Sequence, residues 1–205
     1  MRLAPALLLI GLLPVAPLQQ RDPIAARSKG STTAPVTVYE MGDFQCPACR
    51  EFALVTFPAI ERDYIRTGKV RWVFVNFPLS QIHKNAVAAA QVAMCAAREN
   101  KFWAVHDRLY LRQAQWAALD LPWPTLIALA DSAGVRHDAL VRCLDARATV
   151  DEIARDAQGS ARAGANATPS FYIEGGIAEG AIPQADFSRI LDSIYRVKTG
   201  GSRRP

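Results

Sequence analysis

Two cysteines separated by two residues, Cys46 and Cys49, are the side chains in this sequence best suited to chemistry. A helix is predicted to begin at Pro47, since proline is favoured in the first turn of a helix. The free amides and the dipole at a helix N-terminus stabilise negative charge, so the Cys46 thiol is expected to ionise readily. A thiolate is the attacking form in disulfide exchange. Cys46 is therefore predicted to react with other proteins, and Cys49, almost one turn later, to resolve the resulting bond.

Three other uses of this cysteine pair are less favoured. A structural zinc site needs further ligands, but Cys95 and Cys143 stand alone and no histidine lies at metal-ligand spacing, so no metal is predicted. Haem attachment requires a histidine after the second cysteine, where this chain has Arg50. An inert disulfide across so short a loop would stabilise the fold little. Redox chemistry without a cofactor is the favoured interpretation.

The elements around the cysteines predict a strand–helix–strand unit. Residues 36–41 and 70–77 are rich in β-branched and apolar side chains, which is typical of buried strands. The helix from Pro47 is expected to extend to about Arg66, with Gly68 as its stop signal. A helix between two strands implies that the strands run parallel.

The second half of the chain begins with a long helical block. Ser80 is a suitable cap for its first helix, and helical patterns continue to Gly164. A strand at 170–174 follows, then a Gly175–Gly176 hairpin turn and a closing helix at 187–197. The predicted order is therefore β–α–β, a helical block, a hairpin and a helix.

The N-terminal segment of the chain indicates export. Arg2 and the short apolar stretch after it predict a signal peptide over residues 1–20, with an uncleaved membrane anchor as the alternative. Residues 21–34 are interpreted as a linker, and residues 200–205 as a disordered tail. The net charge of +5 is scattered, without a basic stripe interleaved with aromatics, so nucleic-acid binding is not expected. Export would place the cysteines in an oxidising compartment, periplasmic or otherwise extracytoplasmic.

Four motifs, in this order and spacing, resemble the DsbA-like family of thioredoxin folds over about residues 34–197. They are Gly42-Asp43-Phe44-Gln45-Cys46-Pro47-Ala48-Cys49, Lys101-Phe102-Trp103, Cys143-Leu144 and Thr168-Pro169-Ser170-Phe171. The resemblance implies an α/β thioredoxin-like fold built from residues 35–79 and 165–199. An all-helical subdomain, residues 80–164, is inserted between these parts.

The resemblance also implies roles for Thr168 and Pro169. In related proteins the corresponding proline is cis and faces the two cysteines, and the backbone of the residue before it binds the substrate chain. An ordinary trans proline at the start of a strand is the alternative, because few X–Pro bonds in folded proteins are cis.

Glu40 is a third candidate for chemistry. It alternates with Val36 and Val38 and therefore points to the same, buried face of its strand. Burial would raise its pKa and let it accept the proton of Cys49. Related proteins carry an acid at this position, six residues before the first active cysteine. A solvated glutamate at a strand end is the alternative interpretation.

The other two cysteines, Cys95 and Cys143, are predicted to form a structural disulfide. Once Cys46 and Cys49 are paired, they are the only remaining partners. Two buried free thiols are the alternative. The three histidines of the sequence, including His83, are given no role.

The predicted function is disulfide donation to exported proteins that carry free thiols. The resemblance implies a membrane redox partner that reoxidises the pair, and a monomer is expected. Strongly oxidising relatives have histidine where this chain has Ala48, so a milder oxidant is predicted. A reductase or isomerase is the alternative within redox chemistry. A chaperone-like module that binds unfolded chains is the alternative from another class.

Overall fold

A mixed five-stranded sheet forms the centre of the fold in the computed structural model, which describes residues 23–200. Along the sheet the strand order is β1–β3–β2–β4–β5. Strands β2 and β3 are parallel, as predicted, and the other neighbouring pairs are antiparallel. The central strand, β2, therefore leads directly to Cys46. The strands are β1 (Ser28–Lys29), β2 (Val36–Gly42), β3 (Val70–Asn76), β4 (Ser170–Ile173) and β5 (Gly176–Glu179).

The helical segment after β2 runs from Pro47 to Ile65 without interruption. Two π turns, Phe52–Thr56 and Glu61–Ile65, alternate with its α-helical turns. Gly68 follows the segment with a φ of 76°, a backbone conformation that favours glycine. The α-helices are α1 (Pro23–Ala26), α2 (Pro47–Glu51), α3 (Phe57–Ile60), α4 (Ala86–Ala97), α5 (Phe102–Leu111), α6 (Gln113–Trp116), α7 (Trp123–Ser132), α8 (His137–Asp145), α9 (Val150–Arg162) and α10 (Gln184–Lys198).

One face of the sheet is covered by aromatic side chains. Val38, Trp72 and Phe171, from β2, β3 and β4, are fully buried on this face. Phe52 of the long helical segment packs against Phe171 with ring centroids 4.5 Å apart, and Phe187 of α10 packs against Trp72 at 5.7 Å. This core holds the helical segment that begins after Cys46 firmly on the sheet.

A second core joins the sheet to the helices between β3 and β4. Phe44, in the turn after β2, stacks on Phe74 of β3 with ring centroids 5.0 Å apart, and it also contacts Phe102 of α5. The alanine-rich helix α4 is buried along most of its length in this core. The helices from α4 to α9 confirm the predicted fold class, a thioredoxin-like sheet with a helical insertion.

A disulfide joins two helices of the insertion. Cys95 lies on α4 and Cys143 on α8, and their Cα atoms are 5.8 Å apart. Cys95 is buried in the second core, and Cys143 is partly buried at its edge. The predicted pairing is confirmed.

The linker prediction for residues 21–34 is wrong where the chain forms β1. Ser28 pairs with Val73 on the outer edge of β3, whose unpaired backbone groups favour an added strand. Arg27, only 5% exposed, forms an ion pair with Asp156 of α9. This segment is therefore an integral part of the sheet.

The helix predicted to begin at Ser80 begins at Ala86 instead. The intervening residues are drawn to the turn before the cysteines, because Leu79 N donates to Asp43 and Asn85 N donates to Gln45. These long-range hydrogen bonds outweigh the local capping signal at Ser80.

The predictions for both ends concern residues that the structure does not describe. The export or anchor segment, residues 1–20, lies outside the described range, as does the tail from residue 201 onward. Within residues 23–200, no helix is both long enough and apolar enough to cross a membrane.

Candidate active site

Cys46 occupies the N-cap position of the long helical segment. Its backbone is extended, with φ −70° and ψ 125°, and its residue surface is 7% exposed. In its protonated form, the Cys46 thiol donates a hydrogen bond to the carbonyl oxygen of Thr168 at 3.2 Å. Hydrogen bonds from the Cys49 thiol and from the backbone amides of Cys49 and Ala48 outweigh burial and lower the pKa of Cys46 to about 5. Cys46 is therefore mainly a thiolate at neutral pH.

Cys49 has the opposite environment. It is fully buried, and Asp43 N donates to its sulfur at 3.5 Å. Burial, and then the nearby Cys46 thiolate, raise the pKa of Cys49 well above its usual value. The two thiols therefore differ in protonation at neutral pH: Cys46 is ionised, whereas Cys49 is protonated and fully enclosed.

Glu40 lies on the buried face of β2, as its alternation with Val38 predicts. It is 1% exposed and stands in register with Phe74 on β3 and Phe171 on β4. Trp72 Nε1 donates to Glu40 Oε2 at 2.8 Å. Burial outweighs that hydrogen bond and raises the pKa of Glu40 to about 7. When ionised, Glu40 in turn contributes to the raised pKa of Cys49.

The Thr168–Pro169 peptide bond is cis, as predicted, and both residues are buried. Pro169 O accepts a hydrogen bond from Gly180 N at 2.7 Å, which joins this loop to the end of β5. The carbonyl of Thr168 points at the Cys46 sulfur.

Asp43 joins the site, a position that was not predicted from the sequence. Its carboxylate is completely buried, and it accepts hydrogen bonds from Gln45 N at 2.7 Å and from Leu79 N at 2.8 Å. His83, which was given no role, places Nδ1 2.8 Å from the same carboxylate. An aspartate two residues before Gln45 is a recognisable turn signal, but nothing local links it to a histidine forty residues away.

Further hydrogen bonds anchor the turn before the cysteines and the first helical turn after it. Gln45 Nε2 donates to Ala117 O at 2.8 Å, and Tyr110 OH donates to Asp43 O at 3.3 Å. Arg50 Nε donates to Tyr110 O at 3.1 Å. The helical insertion therefore holds this turn from several sides.

The chemistry that this arrangement supports is transfer of two electrons between two sulfur atoms and an external thiol pair. Among residues 23–200, no group of three or more His, Cys, Asp or Glu side chains is arranged to hold a metal ion. The ionised Cys46 can attack a disulfide, and in a mixed disulfide with another chain it is a good leaving group, because a thiolate of low pKa leaves readily.

The sequence of this chain matches a known protein family and several known proteins. The family model described as Thioredoxin matches residues 24–193, from α1 into α10. The probable disulfide bond formation protein D of Bacillus cereus is 29% identical over 158 residues, covering 74% of this chain and 71% of that protein.

Two further matches extend the comparison. The crystal structure of oxidised BdbD from Bacillus subtilis has a TM-score of 0.74 at 26% sequence identity, covering 83% of this chain and 92% of that one. The Na(+)/H(+) antiporter NhaA 3 of Salinispora tropica is 29% identical over 187 residues. That match covers 90% of this chain but only 27% of the antiporter, so this chain spans about a quarter of the antiporter's length.

Proposed function

Because this chain belongs to the thioredoxin family, we propose that it is a DsbA-like protein disulfide oxidoreductase that donates the Cys46–Cys49 disulfide to the thiol pairs of exported proteins. The match to disulfide bond formation protein D and the likeness to BdbD support this proposal. We place the protein outside the cytoplasm, where disulfides persist. A membrane redox partner would reoxidise the pair after each cycle.

The observation that carries the proposal is the contrast between the two thiols. A stable thiolate at Cys46 favours the reduced pair, so the oxidised pair readily gives up its disulfide. The pKa of Cys46, about 5, lies between that of thioredoxin, about 7, and that of the strongly oxidising DsbA, about 3.5. A moderately oxidising protein is therefore expected, in agreement with the absence of a histidine at position 48.

The proposed cycle has two exchange steps. A substrate thiolate attacks the sulfur of Cys46, and Cys49 leaves and takes up a proton, for which Glu40 is the nearby donor. The second substrate thiolate then attacks its partner sulfur in the mixed disulfide, and Cys46 leaves as a thiolate. The substrate is oxidised by two electrons, and the Cys46–Cys49 pair is reduced by two.

Other residues would support this cycle without exchanging electrons. Thr168 and Pro169 would offer backbone to the substrate chain beside Cys46, and Pro47 and Ala48 would form the loop between the two sulfurs. We further propose that residues 35–79 and 165–199 form the redox domain. The insertion, residues 80–164, would support the turn that carries Cys46.

The reduction potential of the Cys46–Cys49 pair tests the proposal. We expect a value between those of thioredoxin, about −270 mV, and of the strongest DsbA proteins, about −120 mV, after equilibration with glutathione. Replacing Ala48 with histidine should raise the potential, because a cationic donor would further stabilise the Cys46 thiolate. A potential at or below that of thioredoxin would instead indicate a reductase.

Replacing Glu40 with glutamine should slow the step in which Cys49 attacks a mixed disulfide on Cys46. We expect a loss of about a hundredfold near neutral pH, the lower end of the range for general base catalysis. In the parent protein this rate should rise with pH through about 7, as Glu40 loses its proton and becomes able to accept that of Cys49. The glutamine variant should lack that rise.

The rate in question is the release of glutathione from a Cys46–glutathione adduct, followed in a single turnover by mass spectrometry. Glu51→Gln is the matched control, because Glu51 is exposed on the same helical segment as Cys49. Equal rates and equal pH profiles in the Glu40 and Glu51 variants would rule out proton transfer by Glu40.

A further inference from the structure

Gln113 is a buried amide in the helical insertion that the proposed cycle does not use. It begins α6, its surface is 6% exposed, and its side chain reaches the turn that carries the reactive cysteine. Nε2 donates to Phe44 O at 2.8 Å and to Cys46 O at 3.0 Å. One side chain thus binds two carbonyls of this turn, across 67 residues of sequence from Cys46.

The Cys46 carbonyl has a second partner, and the two together define its orientation. Arg50 N donates to the same oxygen at 3.1 Å, in the first helical turn. Cys46 N donates to Asp43 O at 3.1 Å on the other side of the residue. Because a carbonyl oxygen has two lone pairs, the helix occupies one and leaves the other for Gln113. The backbone of Cys46 is therefore held from three directions.

We propose that Gln113 is a positioning residue, whose side-chain amide fixes the backbone of Phe44 and Cys46 and so holds the Cys46 sulfur at the helix N-terminus beside Thr168. This inference deepens the proposed redox function and rests on it. The amide touches neither sulfur, so it acts through the backbone of the cysteine that reacts. The insertion thereby sets the reactivity of a cysteine in the thioredoxin-like part of the chain.

Gln113→Met tests the proposal, because methionine has a similar length and flexibility but no donor. Without the amide, the Cys46 backbone is free to turn, and the sulfur lies less well against the amides of Ala48 and Cys49. We expect the pKa of Cys46 to rise by about one unit, which is about a tenfold loss in the thiolate-to-thiol ratio at any given pH. The equilibrium constant with glutathione should shift by about tenfold toward the oxidised pair.

The control variant is Gln115→Met, on the same short helix. Gln115 is exposed, so its replacement makes the same chemical change without affecting the turn that carries Cys46. Thiolate absorbance at 240 nm across a pH titration gives the pKa, and glutathione equilibration gives the second readout. Unchanged values in Gln113→Met, with a parent protein whose Cys46 pKa is low, would overturn the positioning role alone. A parent protein with an ordinary cysteine pKa would instead count against the proposed function.

A measurement on the parent protein covers the case in which Gln113→Met does not fold. In the reduced, ¹⁵N-labelled protein, the side-chain amide resonance of Gln113 should shift with pH at the same midpoint as the Cys46 thiolate. The resonance of Gln115 should not follow that midpoint. A Gln113 side-chain resonance whose chemical shift does not change as Cys46 ionises would overturn the proposal.

Discussion

Replacing Cys46 with serine should abolish disulfide exchange, whereas replacing Cys49 with serine should stop it halfway. A serine hydroxyl cannot enter a disulfide, so without Cys46 the ionised sulfur of the pair is lost. Without Cys49, the Cys46 thiolate still attacks an external disulfide and forms a mixed disulfide. No second thiol is then present to attack that mixed disulfide and release the bound molecule. We therefore expect a stable mixed disulfide only in the Cys49→Ser variant.

Oxidised glutathione is a suitable probe for this experiment. The Cys49→Ser variant should accumulate one glutathione, bound to Cys46 and visible by mass spectrometry. The parent protein should pass through that adduct to its internal disulfide. The Cys46→Ser variant should form almost no adduct, because Cys49 is fully buried and its raised pKa keeps it protonated.

The pH dependence separates the roles further. Adduct formation in the Cys49→Ser variant should stay fast at neutral pH and fall only as the pH drops through about 5, where the Cys46 thiolate is protonated. The serine that replaces Cys49 retains a hydroxyl donor, so this midpoint should remain well below that of an ordinary cysteine. Adduct formation at equal rates in the two single variants would contradict the claim that Cys46, rather than Cys49, attacks the external disulfide.

Removing the Cys95–Cys143 disulfide should have the largest effect on stability. The bridge closes a loop with a sequence separation of 48 between α4 and α8. A loop of this size restricts the unfolded chain enough to contribute about 4 kcal/mol in the chain-entropy model. We expect the free energy of unfolding of a Cys95→Ala, Cys143→Ala variant to fall by about that amount.

Urea unfolding measures the loss, and the Cys46→Ser, Cys49→Ser background isolates it. In that background only the Cys95–Cys143 bridge is left, so oxidised and reduced samples of one protein differ in a single bond. Disulfide exchange by Cys46 should survive in the Cys95→Ala, Cys143→Ala variant below its unfolding transition. Unchanged stability on reduction would mean that the bridge does not constrain the unfolded chain.

The chemistry of this protein was predictable from its sequence because it depends on short-range features. Cys46, Pro47 and Cys49 define a helix start with two sulfurs about one turn apart, and that local geometry survives in any fold that forms the helix. The burial of Glu40 could also be predicted from the local sequence, since alternation along a strand fixes which face a side chain occupies. The cis bond at Pro169 was predicted by resemblance, as local propensity alone favours trans.

Long-range contacts decided the remaining features. Residues 23–29 looked like a linker because their pairing partner, the edge of β3, is more than forty residues away. The start of α4 moved from Ser80 to Ala86 because hydrogen bonds to Asp43 and Gln45 compete with the local cap. A capping preference is weak enough for a few such bonds to override it.

The tertiary structure also decided which polar side chains serve the reactive cysteine. His83 and Gln113 carry no sequence signal for the site, because each is an ordinary polar residue that becomes informative only when folding brings it to Asp43 or Cys46. The atoms proposed to exchange electrons could be identified before folding was considered, since that assignment depends on the type and spacing of two cysteines. Only the packed insertion decided how those atoms are held, because their supporting hydrogen bonds join residues that are distant along the chain.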